Sequence, residues 1–289
     1  RLIKERDLLA RLSPTDDWRL AEGLIRATLK PDLPLGALGR LYNLLATAAW
    51  RQGKYDEAGR HVARARALGE RARDRGVLCG ATYNQAVIDS LRGDHTAALA
   101  AYERCLARPD DFDTPRERGK VLSNLAVAYH SVGRAADAVA TQAEAIRVFE
   151  GLGLDLNLAI AWVSHGLALT SLGRLDEALA AHARAEEHAR RAGYARGVDC
   201  APLRRADPLG LSGRRRAARD LVLAALPGLA RHDVYDLGCH ELAARVLRRA
   251  GDLALAARQL DEGLRRARAA DLPETRAHLE VEAARLAIA

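Results

Sequence analysis

Glycine returns along this chain at Gly53, Gly93, Gly133, Gly173, Gly213 and Gly251, spaced 40, 40, 40, 40 and 38 residues apart. An alanine stands five residues after each one: Ala58, Ala98, Ala138, Ala178, Ala218 and Ala256. Seven residues before each stands Ala46, Ala86, Ala126, Gly166, Ala206 or Ala244, and twelve after stands Ala65, Cys105, Ala145, Ala185, Ala225 or Gly263. Four registers held over six units make this an internal repeat. Each unit must then be one supersecondary element that buries its apolar face only against its neighbours.

Each glycine ends one helical pattern and precedes another, and it can adopt the left-handed conformation that closes a helix without a Cβ penalty. Acids follow it where a new helix presents its positive end, as in Tyr55-Asp56-Glu57 and Leu175-Asp176-Glu177. The small registers predict where two helices cross closely, and Leu45, Leu125, Val132, Leu172 and Leu247 are expected to fill the space around them. Aromatics make up only 4% of the 289 residues, Met is absent, and hydrophobic residues reach 49%. Such a core must be built from Leu, Val and Ala, which suits helix on helix better than a sandwich or barrel.

The stretch Asn124-Leu125-Ala126-Val127-Ala128-Tyr129, followed by Gly133, Ala138 and Ala145, resembles a tetratricopeptide repeat, as does Tyr83-Asn84-Gln85-Ala86 with Gly93 and Ala98. The likeness covers residues from about 39 to 270. It implies an all-α, right-handed α-solenoid of about six helix pairs with a capping helix at each end. The usual unit is 34 residues and these are mostly 40; the extra length is expected in the second helix and its connection. Such longer units are similar to the sensor regions of bacterial regulators, including peptide-responsive quorum-sensing receptors and maltose-activator-type transcription factors.

Residues 1–38 are expected to form N-terminal capping helices, 39–273 the six repeats, and 274–289 a C-terminal helix or the start of a further repeat. Ser13-Pro14-Thr15-Asp16 reads as a helix start. The last helix ends in Leu286-Ala287-Ile288-Ala289, so either it packs back on the sixth repeat or the native chain continues. Since it has no Met, the chain is expected to be processed or cut from a longer one. Arg108-Pro109-Asp110-Asp111-Phe112-Asp113-Thr114-Pro115 reads as a loop. The fifth repeat carries Pro202 and Pro208 in its first helix, which predicts a kinked or shortened helix.

No apolar run is long enough to span a membrane, and the charged start Arg1-Leu2-Ile3-Lys4-Glu5-Arg6-Asp7 has no signal-peptide core. Cys79, Cys105, Cys200 and Cys239 lie 26, 95 and 39 residues apart, a spacing of buried thiols in a reducing compartment, hence a cytoplasmic protein. No phosphate-binding glycine loop occurs. His240-Glu241 begins like a zinc-protease motif, but Ala244 replaces the second histidine, and His182 and His188 fall on different helix faces. No enzyme, metal or cofactor is expected.

What remains is a surface. The resemblance implies that first helices line the concave side, and register on the glycines selects the side chains facing it. These are Arg40, Asn43, Thr47 and Arg51; then Tyr83, Asn84 and Val87; then Lys120, Ser123, Asn124, Val127 and His130; then Val163, Ser164, Leu167 and Thr170. Asn84, Asn124 and Ser164 share one register, and relatives that bind peptides use first-helix asparagines to pair with an extended backbone. Bonds between neighbouring helices are the other use of such residues. The peptide reading expects Asn84→Ala with Asn124→Ala to abolish binding and leave melting nearly unchanged.

Two other readings stand beside this protein- or peptide-binding scaffold. The excess of 45 Lys+Arg over 38 Asp+Glu leaves net +7, with clusters at Arg60/Arg64/Arg66/Arg71/Arg73/Arg75, Arg214-Arg215-Arg216 and Arg265/Arg266/Arg268. These could meet nucleic acid, but interleaved acids and scarce aromatics favour plain solvated faces, so direct binding of nucleic acid is not expected. The apolar terminal helix could instead join two copies in a homo-oligomer. No membrane partner is expected.

Overall fold

A computed structural model describes residues 18–229, 237–269 and 273–288, and the expected helix start at Ser13 lies outside them. The described residues form fourteen α-helices, one short 3-10 turn and no strand. They run α1 (Trp18–Thr28), α2 (Leu35–Arg51), α3 (Tyr55–Ala72), α4 (Arg75–Leu91), α5 (His95–Leu106), α6 (Pro115–Ser131) and α7 (Ala135–Gly151). Then come α8 (Asp155–Ser171), α9 (Leu175–Arg191), α10 (Ala195–Leu211), α11 (Arg215–Leu229), α12 (Leu237–Ala250), α13 (Leu253–Ala269) and α14 (Pro273–Ala287). The chain divides into two compact units, residues 1–152 and 153–289.

Local chemistry sets the boundaries. The six turn glycines have φ between 73° and 86°. At each, the following N–H reaches back five residues, as in Lys54 to Ala49 O (3.0 Å), Arg134 to Tyr129 O (2.8 Å) and Asp252 to Leu247 O (2.9 Å). This bond satisfies a carbonyl that the helix end would otherwise orphan. The next helix starts at once, with Asp94 and Asp252 accepting from Ala97 N (3.0 Å) and Leu255 N (3.3 Å).

The 40-residue period has a simpler origin than a lengthened second helix. Helices α6 to α9 are 17 residues each, joined by three-residue turns, so first and second helices share the extra length equally. Each is then about 25 Å long. The turns between repeats use the left-handed conformation too, at Gly153 (φ 62°), Gly193 (φ 64°) and Arg73 (φ 50°).

In the first unit, α2, α4 and α6 form a layer of touching first helices, with α3, α5 and α7 packed behind them. Because the first helices approach one another more closely than the second ones do, their layer is the concave side of this unit. Its core lies in successive clusters: Ile25, Leu41 and Leu45, then Ala58, Val62 and Ile88, then Ala98, Tyr102, Val121 and Leu125. In the second unit, α8, α10, α12 and α14 touch in the same way around Leu203, Val222, Leu247, Leu260 and Leu279. Helix α14 therefore packs back, with Leu279 fully buried, although Val281 and Ile288 stay exposed.

Three expectations are corrected. Val132 and Leu172 are exposed rather than core, because they precede the turn glycine and sit on the closing turn. Helix α10 is not shortened: it keeps the full 17 residues of its counterparts despite Pro202 and Pro208, the latter buried among its neighbours. Residues 108–115 are not a plain loop: Pro109–Asp111 is a 3-10 turn, and Thr114 caps α6 by accepting from Glu117 N (3.4 Å) ahead of Pro115.

Candidate functional site

The shared Asn register does not build one ladder. Asn84 lies inside the stack, only 3% exposed. Its Oδ1 accepts from Thr47 Oγ1 (3.1 Å) and Trp50 Nε1 (3.2 Å), and its Nδ2 donates to the Asn43 carbonyl (3.0 Å). Asn84 is thus a bolt between α2 and α4, the use that competes with peptide contact, and it is withdrawn from the groove. Asn43 is similarly turned, donating to Val77 O at 3.0 Å. Asn84→Ala is expected to cost about 2–3 kcal/mol, because Trp50 Nε1 and the Asn43 carbonyl lose buried partners. A thermal melt checks it, and an unchanged midpoint would return Asn84 to the surface.

Arg40 is also committed. Its guanidinium pairs with Asp74 (2.8 Å) and Asp113 (3.1 Å), tying α2 to the starts of α4 and α6. Ser164 lies in the second unit, where its hydroxyl bonds Ile160 O at 3.4 Å on its own helix. Ser123 is buried and exchanges hydrogen bonds with Gln142.

A smaller set keeps an open face. Asn124 is half-buried, and its Nδ2 donates to Tyr83 Oη at 2.9 Å, joining α4 to α6. One turn earlier on α6 stands Lys120 and one turn before that Arg116, so Arg116, Lys120 and Asn124 make one stripe. Val127, 39% exposed, continues it. Arg51 closes the end of α2, its guanidinium over Trp50 (4.6 Å) and Trp18 (5.3 Å). Burial, then the fields of Arg116 and Arg51, hold the Lys120 ammonium down to about 8. Burial likewise pushes the Tyr83 phenol up and the half-buried His130 imidazole down. Arg116 was missed in the sequence, although its place four residues before Lys120 puts it on the same face.

Many arginines of the charge clusters sit on exposed faces, among them Arg60, Arg64, Arg66 and Arg214-Arg215-Arg216. Arg265 and Arg266 share Glu262, each at 2.6 Å. Among the described residues no group of three or more His, Cys, Asp or Glu could hold a metal ion. No helix in them is long and apolar enough to cross a membrane.

Touching first helices with a second layer behind them and glycine turns between define a helical-repeat protein. The tetratricopeptide repeat family model matches residues 38–110 and 117–191, just over half of the chain, which belongs to that family. No curated protein sequence matches. Among solved structures, a Rap protein complexed with Competence and Sporulation Factor superposes with a TM-score of 0.75 at 13% identity, over 93% of this chain and 77% of that one. NprR in complex with its cognate peptide NprX gives 0.73 at 16% identity, over 97% and 81%. A Signal Transduction ATPase with Numerous Domains protein with a tetratricopeptide repeat sensor, from Pyrococcus horikoshii, gives 0.63 at 14%, over 92% and 43%. At these identities the likeness is one of fold: an all-α solenoid of tetratricopeptide repeats.

Proposed function

We propose that this chain is the sensor or assembly region of a bacterial regulatory protein and binds a peptide, or an extended segment of a protein, on the first-helix face of its first unit. The observation that carries this reading is the stripe on α6. Exposed Val127 stands there between hydrogen-bonding side chains whose intrinsic helix propensity does not explain them. A strip that mixes an apolar contact with amide and phenol groups suits an extended backbone with alternating side chains. The likeness in fold to a Rap protein complexed with Competence and Sporulation Factor and to NprR in complex with its cognate peptide supports the reading. The role is non-enzymatic, direct contact with nucleic acid is not part of it, and Cys79, Cys105, Cys200 and Cys239, none of them in a disulfide, support a cytoplasmic setting.

The test is selection of a random heptapeptide library on the full chain, beside Val127→Trp and, on the outer helix α7, the exposed Arg147→Ser. Val127→Trp is expected to reduce retention at least about tenfold, corresponding to about 1.4 kcal/mol, with the melting midpoint unchanged. Arg147→Ser should bind as wild type does. The reverse pattern moves the site to the outer helices, and retention of nothing by wild type removes the peptide reading.

A further inference from the structure

Cys200 of α10 and Cys239 of α12 stand sulfur to sulfur. Both are buried, at 3% and 5% exposure, and their Sγ atoms are 3.7 Å apart. As a hydrogen bond this contact contributes little, since a thiol is a weak donor and a weak acceptor. Packing does not require it either. The residues that match Cys239, twelve before the other turn glycines, are Leu41, Ala81, Val121, Ala161 and Ala201, all buried and apolar. Cys239 also lines a cavity of about 250 Å³ in the second unit, together with Leu167, Arg204, Leu242 and Arg245. We propose that Cys200 and Cys239 are an oxidisable dithiol, reached through this cavity by a small hydroperoxide and closed to a disulfide that clamps α10 to α12. The dithiol lies in the second unit and does not depend on the peptide face of the first.

Cys239 is the member of the pair that meets the cavity, so it is the attacking sulfur. A thiol reacts as its thiolate, which neighbouring cations favour. Arg245 is engaged by Asp207 (3.2 Å) and Glu241 (3.4 Å), which leaves the half-buried guanidinium of Arg204 as the donor to a peroxide oxygen. In the first step the Cys239 sulfur attacks one peroxide oxygen. An S–O bond forms, the O–O bond breaks, and the other oxygen leaves with the thiol proton as an alcohol or water. In the second step the Cys200 sulfur, already in contact, attacks Cys239. The S–S bond forms, the sulfenic S–O bond breaks, and the hydroxyl takes the Cys200 proton and leaves as water. Two electrons pass from two thiols to one peroxide, and no other reactant is consumed. Sulfurs in contact need only turn about their Cα–Cβ bonds to reach the ~2.05 Å of a disulfide. The bond ties the first helices of successive repeats together across the intervening α11. A transient, sensing disulfide of this kind is the sort that a reducing compartment admits.

The experiment treats the reduced full chain with an equimolar amount of hydrogen peroxide, alkylates the remaining thiols and maps the products by mass spectrometry. A Cys200–Cys239 cross-link is expected to form at least about tenfold faster than any cysteine is oxidised in the same chain unfolded in urea. The cross-linked protein should melt higher than the reduced one, and dithiothreitol should reverse the shift. Cys79→Ala with Cys105→Ala should change neither result. Cys200→Ala should stop the reaction at a Cys239 sulfenic acid, captured by dimedone, with no rise in the melting midpoint. Cys239→Ala, a residue that α4 and α8 already carry at this register, should leave Cys200 unmodified. A cross-link that forms no faster than oxidation in urea, or that joins other cysteines or two chains, overturns the dithiol. A midpoint that the cross-link leaves unchanged or lowers overturns the clamp. A sulfenic acid on Cys200 in the Cys239→Ala chain shows that the cavity is not the route, and that also sinks the proposal.

Discussion

Replacing Arg248 by Met is expected to destabilise the second unit by about 3–5 kcal/mol, while Arg248→Met combined with Glu282→Leu recovers most of that loss. Glu282 is 1% exposed on α14, and Arg248 Nε on α12 holds it at 2.8 Å. Arg285, mostly in solvent, gives it one longer contact at 3.3 Å. Removing the main cation leaves a buried carboxylate that must ionise without its partner or take up a proton, and both routes cost free energy. Removing both charges leaves an apolar contact between helices that already share Leu247 and Leu279 in one core.

The double variant is the informative one. An ion pair that costs desolvation can set the alignment of α14 on α12 without adding stability. The expected readout is a denaturant or thermal melt of the four proteins in the cycle. A double variant as unstable as Arg248→Met alone would show that Glu282 contributes by packing and not by charge.

Burial of this kind marks the limit of what the sequence displays. Spacing of small residues and glycines is a property of the chain itself, so the fold class and the helix crossings are legible from one sequence. The destination of a polar side chain depends on what the neighbouring repeat offers. Asn84 and Asn124 hold the same register, but Asn84 meets Thr47 and Trp50 and is drawn inside, while Asn124 meets the Tyr83 hydroxyl and stays at the face. Nothing in the register alone separates them. Arg116 and the half-period turns at Gly153 and Gly193 were within reach, since helical spacing of four and a period of twenty both occur in the sequence.

Acidification is expected to weaken wild type by about 3 kcal/mol more than a His182→Leu variant between pH 7 and pH 4. His182 of α9 is 1% exposed, and neither ring nitrogen has a partner. It occupies the space left by Gly166 of α8, where a Cβ would lie 2.5 Å from the ring. In the sequence Gly166 is only another small residue of its register; in the structure it is a socket. Burial, with smaller contributions from Arg204 and Arg205, depresses the imidazole from its ordinary value of 6.5 to about 3.

The sign follows from the proton inventory. Above pH 6.5 the ring is neutral in both folded and unfolded chains and imposes no pH dependence. Between 6.5 and about 3 the unfolded chain takes up a proton that the folded one refuses, so stability falls as pH falls, by about 1.4 kcal/mol per unit. Below about 3 both forms are protonated and the penalty stops growing. Carboxylates protonate in the same range, which is why the difference between wild type and His182→Leu is the quantity to measure. Leucine also removes two unpartnered nitrogens, so the variant should equal or exceed wild type in stability at pH 7 and diverge from it steadily on acidification. Parallel pH profiles for the two proteins would mean that His182 is reached by solvent or finds a partner when charged, and the socket at Gly166 would then have to open to admit either.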